Sequence, residues 1–244
     1  MRNKYLMFLG LFLLIIQWNI QATNKSYFVI SPNGKTVVNF IVTDESIQYS
    51  VQKNGKKIIN YSRLGFLINA DESLCSGFEV IKTSKSSFDE TWNQPWGEEI
   101  NVRNHYNELR ISLQEKSDKE RQLNIVFRAF DDGISFRYEF PEQKNLSDFI
   151  ISDELTEFAL ASNDSAWTIP AYKGVYYENL WKKAPISNLD TVTTPVTIEM
   201  EKGKFLLLHE ANLTDYAKMN LFPVKSSSRL KVDLTPWSTG VKVY

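Results

Sequence analysis

The sequence predicts an all-β protein, a large antiparallel β-sandwich, and three observations carry that reading. Short β-branched and aromatic runs recur along the chain, apolar and polar residues alternate within them, and turn residues separate them. Helical periodicity nowhere extends beyond about two turns. Thr36–Val42 is the first β-branched run, and residues 47–51 resume it. Asn54-Gly55 precedes the run 57–61. Asn-Gly between apolar runs marks a type I′ hairpin, because both central residues need positive φ. Leu109, Ile111 and Leu113 alternate with Arg110, Ser112 and Gln114, and Phe136, Tyr138 and Phe140 alternate with Arg137 and Glu139. Period two puts one face in a core and the other in water. The runs 123–130 and 134–140 flank Asp131-Asp132-Gly133, which reads as a second hairpin of the same kind. Lys202-Gly203 joins residues 197–201 to 204–209 as a third. Residues 230–234 and 241–244 read as further strands, and 185–188 and 226–228 as loops.

Composition excludes several classes. The 244 residues carry 28 Lys+Arg against 29 Asp+Glu, so there is no basic footprint for nucleic acid. One cysteine, Cys75, forms neither an internal disulfide nor a cysteine zinc cluster, and His105 and His209 show no zinc spacing. A hydrophobic share of 43% is far from a disordered composition.

Residues 1–22 read as a secretory signal peptide. Arg2 and Lys4 form a basic start, 5–16 is an apolar run, and a more polar stretch ends at Ala22. The run is short of the roughly 20 residues that span a bilayer, so no stable membrane span is expected after cleavage. The mature chain, 23–244, shows no internal composition boundary and reads as one domain. Export with a single cysteine fits a bacterial periplasm better than a disulfide-rich secreted module.

Two clusters could carry chemistry. In Trp92-Asn93-Gln94-Pro95-Trp96-Gly97-Glu98-Glu99, two indoles and a carboxylate offer stacking faces and acceptors for a sugar. The same tryptophans would equally serve as core residues of a sandwich. Glu98 and Glu99 would point to opposite faces of a strand, a poor arrangement for paired catalytic carboxyls. Asp131-Asp132-Gly133 reads as turn chemistry, since it lacks the alternating ligands of a calcium loop. The second cluster is His209-Glu210-Ala211-Asn212-Leu213-Thr214-Asp215-Tyr216. It follows an apolar strand and reads either as a strand-end site or as a loop of capping and turn residues.

Four ordered motifs then point further. They are Trp92-x-x-Pro95-Trp96-Gly97-Glu98, the stretch 127–138 through Asp131-Asp132-Gly133, Thr194-Pro195-Val196-Thr197, and the stretch 209–216. Together they resemble the N-terminal domain of glycoside hydrolase family 97, the periplasmic α-glucosidases and α-galactosidases. The resemblance implies a galactose-mutarotase-like super-sandwich that precedes a catalytic (β/α)8 barrel. It implies a Ca²⁺ in the active site, held mostly by barrel carboxylates, with Glu210 as the carboxylate from this domain. It also implies α-linked glucosides or galactosides as substrates. Trp92, Trp96, Glu98 and Trp237 remain the candidates for sugar contact. The barrel and the catalytic carboxyls are absent from these 244 residues, so the chain reads as a truncated member, an interrupted reading frame or a fragment of a larger gene product, inactive alone. A free-standing carbohydrate-binding module or a purely structural domain are the competing readings. A domain that docks on a barrel should also expose an apolar face, with the Trp96 and Trp181 regions and residues 236–244 as candidates.

Overall fold

A computed structural model describes residues 25–69, 72–172 and 178–235. The predicted signal peptide, the predicted strand at 241–244 and Trp237 lie outside the described residues. The described chain is a series of antiparallel strands with three short 3₁₀ turns, the β-sandwich that the alternation predicts. No helix among the described residues is long and apolar enough to cross a membrane.

The chain opens as a meander of β1 (Ser26–Ile30), β2 (Thr36–Val42), β3 (Ile47–Lys53) and β4 (Lys56–Leu64). Asn54 and Gly55 both take positive φ at the β3–β4 turn, as a type I′ hairpin requires. Two short strands follow, β5 (Phe66–Ile68) and β6 (Glu72–Leu74). A second meander runs through β7 (Phe78–Asn93), β8 (Asn101–Glu115), β9 (Gln122–Phe130) and β10 (Ile134–Glu139). Strand β11 (Ile151–Glu154) returns to pair with β5. The last sheet holds β12 (Glu157–Ala159), β13 (Ser165–Pro170), β14 (Lys182–Pro185), β15 (Val192–Met200), β16 (Lys204–Leu208), β17 (Lys218–Pro223) and β18 (Arg229–Thr235). Its order is β12-β18-β17-β15-β13-β14, with β16 also on β15. An isolated bridge between Ile59 and Leu160 ties this sheet to the first meander.

The two meanders pack face to face through aromatic rings. Phe127 of β9 lies 5.9 Å from Phe40 and 6.1 Å from Tyr49, centroid to centroid. Leu109, Ile111 and Leu113 are fully buried, so the period-two reading of β8 holds. Tyr49 is the largest fully buried side chain among the described residues, and its hydroxyl donates to Glu157 O at 3.0 Å. That bond satisfies a polar atom that would otherwise be stranded in the core.

Three local expectations need correction. The β9–β10 hairpin forms, but Asp131, Asp132 and Gly133 take no positive φ, so it is not of the Asn54-Gly55 kind. Its chain reversal is instead held by Phe130 N–H donating to Gly133 O at 2.9 Å. Asp131 also accepts from Asn33 N at 2.8 Å, tying this loop to the β1–β2 connection. The segment 185–188 is not simple loop, since Pro185 ends β14 and Ile186–Asn188 is a 3₁₀ turn that buries Ile186. Glu98 and Glu99 sit on no strand but in the connection between β7 and β8, so the opposite-face argument does not apply to them.

Candidate functional site

Strand β15 forks. Its first residues pair with β17, Thr193 opposite Asn220, while Val196 onward pairs with β16, Val196 opposite Leu208. Both neighbours occupy the same side of β15, and they part at Thr194-Pro195, a cis peptide bond. Proline has no N–H to offer a neighbouring strand, so the ladder is interrupted there by chemistry as well as by geometry.

Glu210 fills the fork. It lies two residues beyond the end of β16, half-buried, and its Oε2 accepts from Met219 N of β17 at 2.9 Å. Thr194 Oγ1 donates to Met219 O at 3.0 Å and reaches Glu210 Oε1 at 3.4 Å. A carboxylate thus replaces the missing strand partner of Met219. The Thr194-Pro195 motif and the His209-Glu210 motif, unconnected in sequence, meet at one point. Each carboxylate oxygen keeps lone-pair capacity beyond these bonds.

The loop after Glu210 returns into the protein through Tyr216, whose hydroxyl donates to Glu154 Oε2 at 2.8 Å. Thr156 also hydrogen-bonds Glu154, its hydroxyl lies 2.6 Å from Tyr138 Oη, and Tyr138 Oη accepts from Gly65 N at 3.1 Å. Burial pushes the Glu154 carboxyl up. The hydrogen bonds from Thr156 and Tyr216 oppose that rise, and the charges of Asp153 and Glu210 add to it. Burial likewise raises the hydroxyls of Tyr138 and Tyr216, with the Glu154 charge adding to both.

The raised Glu154 has a testable consequence. A carboxyl whose folded pKa exceeds its unfolded value stabilises the fold fully below the unfolded value of 4.5 and loses that contribution as pH rises through the folded pKa. Glu154→Gln keeps an acceptor for Tyr216 and carries no proton to lose. Melting curves across pH should therefore coincide with wild type in acid, with the variant becoming the more stable toward neutral pH. Parallel curves would remove the argument.

The other predicted residues are placed differently. His209, Asn212 and Asp215 are exposed, with Asn212 at φ 56°. Among the described residues no group of three or more His, Cys, Asp or Glu side chains is arranged to hold a metal. Trp92 and Trp96 are not core residues. Trp92, 44% exposed, rides the two-stranded end of the β7–β8 ribbon opposite Val102, and Trp96, 83% exposed, sits in the connection at its tip. Glu98 is exposed beside it. These three therefore share the ribbon end, in a different part of the sequence and of the sheet pattern from the Glu210 fork. Of the regions expected to carry an exposed apolar face, Trp96 and Trp181 are exposed and residues 236–244 lie outside the described residues; Leu180, Phe205 and Leu207 are exposed as well.

Sequence reasoning missed Glu154, Thr156 and Tyr138 as members of the network. Glu154 sits in an unremarkable Ile-Ser-Asp-Glu run, and its partners come from positions 156 and 216. It missed also the cluster in which Tyr172 Oη donates to Asp233 Oδ2 at 2.8 Å and accepts from Asn220 Nδ2 at 3.0 Å.

An antiparallel sandwich with a strand-end carboxylate set in a fork defines a β-sandwich domain with a candidate site at a sheet junction. Comparison with known proteins gives it a family. The description "Glycosyl-hydrolase 97 N-terminal" matches residues 29–240, and the chain belongs to that family. A retaining alpha-galactosidase of Bacteroides thetaiotaomicron is 25% identical over 233 residues, covering 90% of this chain and 33% of that protein. A family 97 enzyme of Pseudoalteromonas sp. strain K8, solved in complex with panose and with acarbose, is 34% identical with a TM-score of 0.82, covering 89% of this chain and 33% of that one. A beta-arabinopyranosidase shares the fold at a TM-score of 0.75 and 23% identity, over 85% of this chain and 35% of that one. The chain thus spans about a third of the length of these relatives, and it is the N-terminal domain that it matches.

Proposed function

We propose that this domain packs against a family 97 catalytic domain and lends it one carboxylate, Glu210, for a calcium site. The observation that supports this most is the fork. It carries a carboxylate oriented by a backbone N–H and a hydroxyl, with lone pairs left over for a cation. Calcium is a hard cation that takes six to eight oxygen ligands, and Glu210 supplies at most two. The remaining ligands would come from the catalytic part, as would both catalytic carboxyls. The substrates under this reading are α-linked glucosides or galactosides. The names of the relatives, an alpha-galactosidase and an enzyme solved with panose and acarbose, support that class. Residues 1–22 would direct the protein to the periplasm.

Glycoside cleavage needs two carboxyls facing across the scissile bond. The purified chain is therefore expected to hydrolyse neither aryl α-glucosides nor aryl α-galactosides. Millimolar calcium should barely move its melting temperature, because stabilisation follows the ratio of free ligand to dissociation constant. In a chimera where this chain replaces the matching third of the Pseudoalteromonas enzyme, Glu210→Gln should weaken calcium binding by about tenfold or more and lower turnover. Glutamine keeps an oxygen for Met219 N, so the sandwich itself should melt as before. Turnover by the isolated chain that one carboxylate substitution abolishes, or a chimera indifferent to Glu210→Gln, overturns the proposal.

The exposure of Trp92 and Trp96 favours a second reading, carbohydrate binding by the ribbon tip. Calorimetric titration with gluco- and galacto-oligosaccharides tests it, and heat that disappears in Trp96→Ala would support it.

A further inference from the structure

Strand β7 is 16 residues long and pairs with β8 on one edge. Among the described residues no strand pairs with its other edge. Every residue from 81 to 93 is exposed. An unpaired edge of this kind presents a row of N–H and C=O groups to any strand that approaches it. Proteins usually blunt such edges with proline, a bulge, short length or charges, lysine above all, which repel a strand that lacks the matching opposite charges. Here residues 82–93 contain no proline. Their ladder with β8 runs unbroken from Lys82–Ser112 to Asn93–Asn101, the one irregularity falling before it, between Val80 and Lys82.

The charges along this edge are segregated. Over the unbroken ladder, Lys82 and Lys85 occupy the first half and Asp89 and Glu90 the second, while Glu79 lies ahead of the irregularity. An antiparallel copy of the same strand reverses that order, so each basic half meets an acidic half. A parallel copy would set like charges side by side. A twofold axis through Ser86 places Ser86 opposite itself and Lys82 of each chain opposite Glu90 of the other. Lys82, Ser86 and Glu90 lie on one face of the ribbon, opposite Ser112, Glu108 and Asn104 of β8. The pairing therefore puts Lys82 and Glu90 on the same side, with Ser86 opposite its own copy at the centre and Ser84 opposite Phe88 on either side of it. A groove of about 430 Å³ lies between β1 and the β7–β8 ribbon, lined by Phe28, Ile30, Lys85, Ser86, Asn107 and Glu108. Asp89 is already held by Arg103 at 2.7 Å, which leaves Glu90 as the acidic member of the cross-chain pair.

We propose that two copies of this chain associate through antiparallel pairing of their β7 edges. The two four-stranded sheets, β10-β9-β8-β7 and its twofold mate, become one continuous sheet. The interface is isologous, so it closes as a dimer and does not propagate. The strand order and the charge segregation carry this inference, and it does not depend on the calcium reading.

Sedimentation equilibrium of the purified chain tests it. The wild type should show a monomer–dimer equilibrium. Lys82→Glu and Glu90→Lys should each weaken the dimer by about tenfold or more, since each turns two attractive cross-strand pairs into repulsive ones. The double variant Lys82→Glu/Glu90→Lys should restore wild-type affinity. Both sites are exposed, so circular dichroism should stay unchanged and the readout reports association alone. A chain that stays monomeric at all concentrations overturns the proposal. So does a dimer indifferent to both reversals, the result expected if association runs through exposed Phe205 and Leu207 instead. Failure of the double variant to recover overturns it as well.

Discussion

Phe127→Ala is expected to lower the unfolding free energy by about 3–5 kcal/mol. The ring is fully buried where the two meanders meet, with Phe40, Tyr49 and Phe136 around it at centroid distances of 5.9, 6.1 and 5.8 Å. Removing it forfeits the transfer of a large apolar side chain from water. It also leaves a cavity that rigid neighbouring strands cannot close. Urea unfolding followed by tryptophan fluorescence measures the change. Phe205→Ala, at an exposed position on β16, serves as the control and should fall within about 0.5 kcal/mol of wild type. Equal effects at the two positions would mean that the interface between the meanders is not where the stability resides.

Arg121→Met should cost a similar amount, about 3–5 kcal/mol, for an electrostatic reason. Arg121 and Glu115 are both buried at the β8–β9 reversal. The guanidinium meets Glu115 twice, at 2.6 and 2.8 Å, then Glu72 at 2.8 Å and Ser73 O at 3.0 Å. The Glu115 hydrogen bond holds the guanidinium pKa above its ordinary value, with burial opposing and the charges of Glu115 and Glu72 adding to it. Taking the cation away strands a carboxylate in a site that excludes water. The pair Arg121→Met/Glu115→Leu should recover most of the loss, because desolvating an ion pair offsets much of its attraction. A double variant as unstable as the single one would show that the side-chain contacts to Glu72 and Ser73 matter more than the pair.

Much of the architecture was readable from local chemistry. Thr36–Val42 is a strand to the residue, and Asn54-Gly55 adopts the positive φ that its turn type demands. Leu109, Ile111 and Leu113 are buried as their spacing requires. These features depend on backbone sterics and on a two-residue period, and both are written within a few positions of one another. The Asp131-Asp132-Gly133 turn was placed correctly but given the wrong conformation. Asp-Gly permits positive φ without forcing it, and a tie from Asn33 helps fix the loop. The exposed tryptophans were ambiguous for a related reason. A Trp on a long hairpin is core or surface according to whether a second sheet lies over it, and the hairpin's own sequence does not say.

The sequence by itself determined the strands, the principal turns and the motifs that identify the family, because these rest on interactions between near neighbours. Tertiary structure alone decided what those motifs do to one another. Glu210 acquires its partners because β16 and β17 share one side of β15 and part at Pro195, which brings Thr194 and Met219 to its carboxylate across 16 and 9 residues of chain. Glu154 is raised because burial withholds water from it, with Tyr216 arriving from 62 residues away. Among the described residues β7 keeps an open edge because it is the outermost strand of its sheet, a fact of strand order that no residue on β7 encodes. Solvation and strand order are properties of the assembled sheets, which is why they could not be read before the chain was folded.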